Sequence, residues 1–248
     1  MFEFGKDVTI EQGVHINVRE GFIGDRSIIR SGARIEGQRV VLGTESYLDH
    51  GALIGGGSCF DEVAFLEAGC WFHMGWDSQV NIARGVEVGD EVGLGIETKI
   101  FTHGAYLPID CGFPVQWAGV RIGRRVWLPN AWVNPGVTIG NNVVVAARSL
   151  VNKDLPPGCF AGGIPAKVIK ENEYPRRSAA WALLEIEDDK LRCGRQVLVG
   201  DTVFNISERT IIGPVTEESE KAKNQLRRNG IRFKYYAKDG EYVPWNVS

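Results

Sequence analysis

A six-residue period constrains this chain more than any other feature. An aliphatic residue recurs every six places, and the residue four positions on is small or β-branched. The pattern runs Ile10/Val14, Ile23/Ser27, Ile29/Ala33, Leu42/Ser46, Leu48/Ala52, Ile54/Ser58, Phe60/Ala64 and Leu66/Cys70. It resumes at Ile82/Val86, Val88/Val92 and Leu94/Thr98, and again at Ile122/Val126, Ile139/Val143 and Val145/Ser149. A helix repeats at about 3.6 residues and a strand at about 2, so neither, as a long element, produces six. Short strands separated by turns do, and the expected architecture is mainly β: a parallel β-helix. The aliphatic residue points into a narrow interior, and the residue four on faces inward beside a corner. Between them "IGDR", "LGTE", "VGDE" and "IGNN" supply the permissive backbones that tight turns need. Residues 42 to 70 hold five consecutive hexads, so that stretch is expected to coil without interruption.

The rhythm fails in two places. After "IFTHGAY", residues 100 to 106, it is lost until Val120, so an excursion is expected just after His103. Beyond residue 172 it ends altogether, which divides the chain into a β-helix domain, 1–172, and a small α+β domain, 173–248. In the second, "RSAAWALLEIEDDKLR" can form an amphipathic helix, and "RQVLVGDTVFNI" and "RTIIGP" read as strands. "TEESEKAKNQLRRNG" is a helix capped by Thr216, acidic at its start, basic at its end and stopped by Gly230. "IRFKYYA" and "EYVPW" around "KDG" make a hairpin. This domain shows no catalytic motif, and a role in covering the last coil is expected.

Composition removes several function classes. The 248 residues carry a net charge of −3, which argues against a general nucleic-acid or anionic-membrane surface. No apolar run approaches the roughly 18 residues needed to span a bilayer. The start, "MFEFGKDVTIEQG", lacks the basic and apolar regions of a signal peptide. Cys59, Cys70, Cys111, Cys159 and Cys193 are odd in number, scattered and without C-x-x-C, as expected of reduced thiols in a cytoplasmic protein.

Residues 120 to 170 read "VRIGRRVWLPNAWVNPGVTIGNNVVVAARSLVNKDLPPGCFAGGIPAKVIK". The order and spacing of "VW", "NPGVTIGNN", "VNKDLPPG" and "GGIPAKVIK" resemble the C-terminal coils of the hexapeptide-repeat acyltransferases, in their sugar and antibiotic acetyltransferase branch. The resemblance covers roughly residues 1 to 172. It implies a left-handed parallel β-helix of three hexads per coil, a homotrimer, and acetyl-CoA as a co-substrate in a groove between two subunits, with no tightly bound cofactor. The family's catalytic histidine sits in a Thr-His or Gly-His step before a loop that leaves the β-helix, as "FTHG" does here.

That resemblance implies roles for individual residues. His103 is the expected general base, a role that suits a neutral imidazole near pH 7. Trp127 matches a tryptophan beside the pantetheine, and the backbone N–H of Asn130 a donor to the thioester carbonyl or oxyanion. "LPNAWVNPGVTI" leaves one coil a residue short, which bears on Asn130. Ala147 matches a backbone contact to the pantetheine, while Asn152, Lys153 and Lys167 match positions near the CoA phosphates. Asp77 falls near a residue that holds the acceptor, and His73 in "CWFHMGW" is a candidate for the acceptor pocket. His15 and His50 fall at repeat positions expected to face solvent. No metal is expected: the γ-class carbonic anhydrases of this fold need a second histidine five residues on, and position 108 is a proline. The expected activity is acyl transfer from CoA to a hydroxyl or amine of a small polar acceptor, a sugar or nucleotide-linked sugar. The competing class is a non-catalytic β-helix scaffold.

Overall fold

The computed structural model describes residues 1–104, 107–171, 192–193, 196–228 and 230–244. The chain forms two compact units, Met1–Pro175 and Arg176–Ser248.

The first unit is a parallel β-helix with three faces. The first face stacks Phe2–Phe4, the ends of His15–Ile23 and Arg34–Leu42, then Phe65–Ala68, Val86–Val88, Val120–Ile122 and Thr138–Ile139. The second stacks Thr9–Ile10, Ile28–Ile29, Tyr47–Leu48, His73–Met74, Gly93–Leu94, Trp127–Leu128, Val144–Val145 and Phe160–Gly163, and is closed by the antiparallel strand Ala166–Lys170. The third stacks the starts of His15–Ile23 and Arg34–Leu42 on Leu53–Gly55, Gln79–Asn81, Lys99–Ile100, Trp132–Val133 and Leu150–Val151.

The period becomes columns of stacked side chains. Ile29, Leu48, Met74, Leu94, Leu128 and Val145 form one, and Ile35, Ile54, Val80, Ile100, Val133 and Val151 another, all at most 1% exposed. Each such side chain contributes roughly 1.5–3 kcal/mol of burial. Corner slots take small residues, and the buried serines there are satisfied: Ser27, Ser46, Ser78 and Ser149 each donate to the carbonyl three residues back at 2.7 Å. Phe72 occupies a corner slot in register with Ser46 and Val92, where a small side chain is expected.

One expectation fails. The run from 42 to 70 does not coil without interruption. Arg34 pairs with Leu53, 19 positions on, but Arg39 pairs with Phe65, 26 positions on. The chain bulges outward after Gly55, touches the core at Cys59 and resumes the face at Ala64. Ser58 is exposed, and Ala68 rather than Cys70 faces inward beneath Leu42. Gly55, Gly56 and Ser58 all have positive φ, which turns the strand outward where the spacing alone suggested a further hexad. Ile10 is 42% exposed rather than inward-facing.

The short coil is absorbed without harm to the interior. Leu94 to Ile100 spans six positions and Leu128 to Val133 five, so the residue is lost at the turn between the second and third faces. The Thr98 hydroxyl donates to the Leu128 carbonyl at 2.6 Å, and Ala131 stays fully buried.

The second unit packs the helix Glu217–Arg228 against an antiparallel sheet whose strands run in the order Arg192–Cys193, Gln196–Val199, Thr202–Asn205, Thr210–Pro214, Glu241–Pro244 and Tyr235–Lys238. Thr216 and Ser219 exchange side-chain and backbone hydrogen bonds at the helix start, and Gly230, at φ +87°, follows its end. The hairpin turns at Asp239 and Gly240, both with positive φ. The core is Val197, Val199, Phe204, Ile206, Ile211, Leu226, Phe233 and Tyr242. The amphipathic segment 177–192 lies outside the described residues except for its last.

Candidate active site

The edge between the third and first faces differs from the other two. Early coils pass it as continuous strands, His15–Ile23 and Arg34–Leu42. Below them the chain leaves at this edge twice, first over residues 56–63, then over the described residues 104 and 107–117 after Lys99–Ile100. Between the two lies the short corner Ile82–Gly85. His103 stands at the root of the second excursion, with an exposed wall on either side.

Its ring is held in one tautomer by Asn81. Three groups meet the Asn81 Oδ1: the Ala83 N–H, the Thr102 hydroxyl, and His103 Nδ1 at 3.0 Å. The Ala83 N–H can only donate, and Thr102 Oγ1 itself accepts from the Arg84 N–H, which turns its proton toward Asn81. On the other side, the Asn81 Nδ2 faces the Gly55 and Gly57 carbonyls, which can only accept. The amide orientation is thus fixed, His103 Nδ1 must donate, and Nε2 carries the free lone pair. Nε2 faces the first excursion: a Cβ on Gly57 would lie 3.8 Å from both Cε1 and Nε2. Asn81 was not singled out in the sequence. Its signal is positional, since it follows Val80, which pairs with Ile100 three residues before the histidine.

The second excursion closes on itself. His103–Gly104 pairs antiparallel with Gln116–Trp117, and the Ala118 N–H donates to the Thr102 carbonyl at 3.0 Å. It carries the 3-10 turn Ile109–Cys111 and re-enters the prism at Val120–Ile122, as expected from "VRIG".

No family model matches the chain. It is 49% identical over 53 residues to a galactoside O-acetyltransferase of Escherichia coli (strain K12), 21% of this chain and 26% of that one. Over 165 residues it is 30% identical to a probable acetyltransferase of Mycobacterium tuberculosis (strain ATCC 25618 / H37Rv), 52% of this chain and 54% of that one. The chain therefore spans between about a quarter and about half of these relatives. Among solved structures it superposes, with TM-score 0.51 and 19% identity over 75% of this chain and 88% of the other, on AntD, an N-acyltransferase from Bacillus cereus in complex with dTDP and 3-hydroxybutyryl-CoA. The shared fold is the left-handed parallel β-helix.

The chain resembles acetyltransferases over part of its length.

The remaining candidate residues lie away from His103 within one chain. Trp127 is on the second face, 43% exposed, and its indole lies over Gly93, where a Cβ would come within 2.5 Å of the ring. His73 belongs to the same outward column, stacked at 5.0 Å on Tyr47. Asp77 and Asn130 occupy left-handed turns on the edge between the second and third faces, with the exposed Ala147 one coil below Asn130. The Asn130 amide donates to Glu97 at 3.0 Å. A strand of about four residues separates that edge from His103, roughly 13 Å. Asn152 and Lys153 are exposed and follow Leu150–Val151, on the same edge as His103 but further along the prism axis. Lys167 is exposed on the closing strand of the second face.

His15 faces solvent as expected, but His50 is half-buried, bonded through Nδ1 to the Ser31 hydroxyl at 2.9 Å. Among the described residues no three His, Cys, Asp or Glu side chains converge to hold a metal, and no helix is long and apolar enough to cross a membrane.

Proposed function

We propose that this chain is an acyl-CoA-dependent acyltransferase that acetylates a hydroxyl or amine of a small polar acceptor, a sugar or nucleotide-linked sugar, with His103 as general base. The observation that carries the reading is the His103–Asn81 bond of 3.0 Å, which leaves the lone pair on Nε2, beside Gly57 of the first excursion. The relatives' acetyltransferase and galactoside names support the reaction and the acceptor class.

In this reading Nε2 takes the proton of the acceptor as its oxygen or nitrogen attacks the thioester carbonyl. The imidazolium that forms stays bonded to Asn81 and passes the proton to the departing CoA thiolate. The Asn130 backbone N–H stabilises the tetrahedral oxyanion. Trp127 and Ala147 flank the pantetheine, Asn152, Lys153 and Lys167 lie toward the phosphates, and Asp77 and His73 face the acceptor. His103 and the Asn130 turn lie on opposite edges of one face, so a complete site needs the His103 edge of one copy beside the Asn130 edge of a second. That requirement supports a homotrimer with CoA between subunits. Free cysteines at Cys59, Cys70, Cys111 and Cys159 agree with work in the cytoplasm, where acyl-CoA and reduced thiols coexist.

The test is calorimetric binding of acetyl-CoA to wild type and His103→Ala, followed by CoA release with a panel of sugars. Binding by both, with turnover by wild type alone, is expected. A folded wild type that binds no acetyl-CoA would instead be a scaffold.

A further inference from the structure

One hydrogen bond fixes a point on a ring, not its plane. The Asn81 contact to His103 Nδ1 leaves the imidazole able to swing about that bond, carrying Nε2 with it. The second restraint comes from the excursion. His103 and Trp117 are directly opposed in the short antiparallel ladder at its root, and directly opposed residues project side chains to the same side. The indole lies on the imidazole with centroids 4.6 Å apart and planes 13° from parallel. The ladder is anchored at both ends, by the Ala118 N–H on the Thr102 carbonyl and by the Gln116 amide on the Pro135 carbonyl at 3.0 Å.

The indole is itself held. The Arg84 guanidinium carbon lies 4.5 Å from its centroid, and the guanidinium donates to the Ala83 carbonyl at 2.6 Å and to Asp61 at 3.4 Å. Asp61 belongs to the first excursion. A continuous chain of contacts therefore runs from the first excursion through Arg84 and Trp117 to the ring.

We propose that Trp117 is a positioning residue for the reaction: together with Arg84 it sets the plane of the His103 imidazole, so that Nε2 points at the acceptor. The inference rests on His103 being the base.

The experiment compares full-length wild type, Trp117→Ala and Trp117→Phe by steady-state kinetics and by 15N NMR of the His103 ring. Trp117→Ala is expected to lower kcat on the order of 10- to 100-fold, with the KM for acetyl-CoA within about twofold of wild type. Its ring signals should keep the Nδ1–H tautomer that Asn81 sets but broaden as the imidazole samples more than one plane. Trp117→Phe, which keeps a planar ring, should return kcat to within about threefold of wild type and sharpen the ring signals again. Should Trp117→Ala fail to fold, Trp117→Leu takes its place, with apolar bulk but no plane and the same expected loss.

The proposal is overturned if the non-aromatic variant turns over at the wild-type rate. It is equally overturned if Trp117→Phe is as slow as Trp117→Ala while the ring signals of both match wild type, because Trp117 would then be a wall and not a clamp. Normal turnover by His103→Ala would remove the base and with it the catalytic part of the inference. The NMR comparison would still decide whether Trp117 holds the ring.

Discussion

Two of the prism's edges are turned by short corners in every described coil, and the third only in some. At the first two, tight turns with left-handed residues such as Glu45, Asp77, Glu97 and Asn142 recur coil after coil. At the third, strands run round the corner in the early coils, and then the chain leaves twice, bracketing Asn81, Arg84 and His103. The plain edges have little freedom, because each turn must stack on its neighbours: a Cβ on Gly43 or Gly89 would come within 2.4 or 2.7 Å of the next coil's backbone. The third edge escapes that constraint wherever an excursion lifts it off the stack. Backbone freed from the repeat can place a hydrogen-bond acceptor, a stacked ring and a walled cleft in one spot. The repeat supplies rigidity, and its interruption supplies the candidate site.

The sharpest way to break this division is at the histidine. His103→Ala should lower acyl transfer by about 10²- to 10⁴-fold, the usual worth of a general base, with acetyl-CoA affinity and melting temperature near wild type. Turnover within tenfold of wild type would move the chemistry off the third edge. The reciprocal change is Leu48→Ala, in an interior column of the second face. It should destabilise the protein by about 2–5 kcal/mol in denaturant melts, yet leave the kcat of the folded fraction unchanged. A loss of kcat there would mean that coils and cleft are not separable. Third in size is Asn81→Leu. With no acceptor for Nδ1–H, the ring should sample both tautomers and kcat should fall on the order of 10-fold. An unchanged kcat would show that another group orients the imidazole.

The same division decides what could be read from the sequence. Ile23/Ser27, Ile29/Ala33, Leu48/Ala52, Leu94/Thr98 and Val145/Ser149 all turn inward as the period requires, because every coil presents the same positions to the dry interior. His103 was legible for the opposite reason, as the place where the rhythm stops. The first excursion was hidden: "IGGGSCFDEVAFLEAGC" keeps the six-residue spacing by coincidence, and positive φ at Gly55 and Gly56 is invisible to a count of aliphatics. Asn81 and Trp117 were missed because one acts across coils and the other across the second excursion, 22 and 14 positions from the histidine. A period describes neighbours in the stack only while the coils keep one length.

The smallest expected effect concerns how firmly the third edge is held, and two cysteines report it. Cys159 fills a corner slot of a plain edge and is fully buried; Cys59 lies in the first excursion and is 4% exposed. Burial pushes both thiols above the ordinary range, helped at Cys59 by the charges of Glu36 and Asp61 and at Cys159 by Glu171. A thiol raised in the folded state favours folding below its unfolded value and loses that contribution as pH rises through the folded one. Alkali therefore promotes the opening of both sites. Alkylation needs the thiolate, so each buried cysteine should react only through an open form. The exposed Cys111 should be modified first. Cys59 should follow at the rate of local opening of the excursion, and Cys159 only with unfolding of the coils. Peptide mapping of an alkylation time course at pH 8 checks the order. If Cys59 and Cys159 react together and both track global unfolding, the excursion is as cooperative as the stack. The cleft would then owe its shape to the β-helix as a whole, and not to the local latch of Asp61, Arg84 and Trp117.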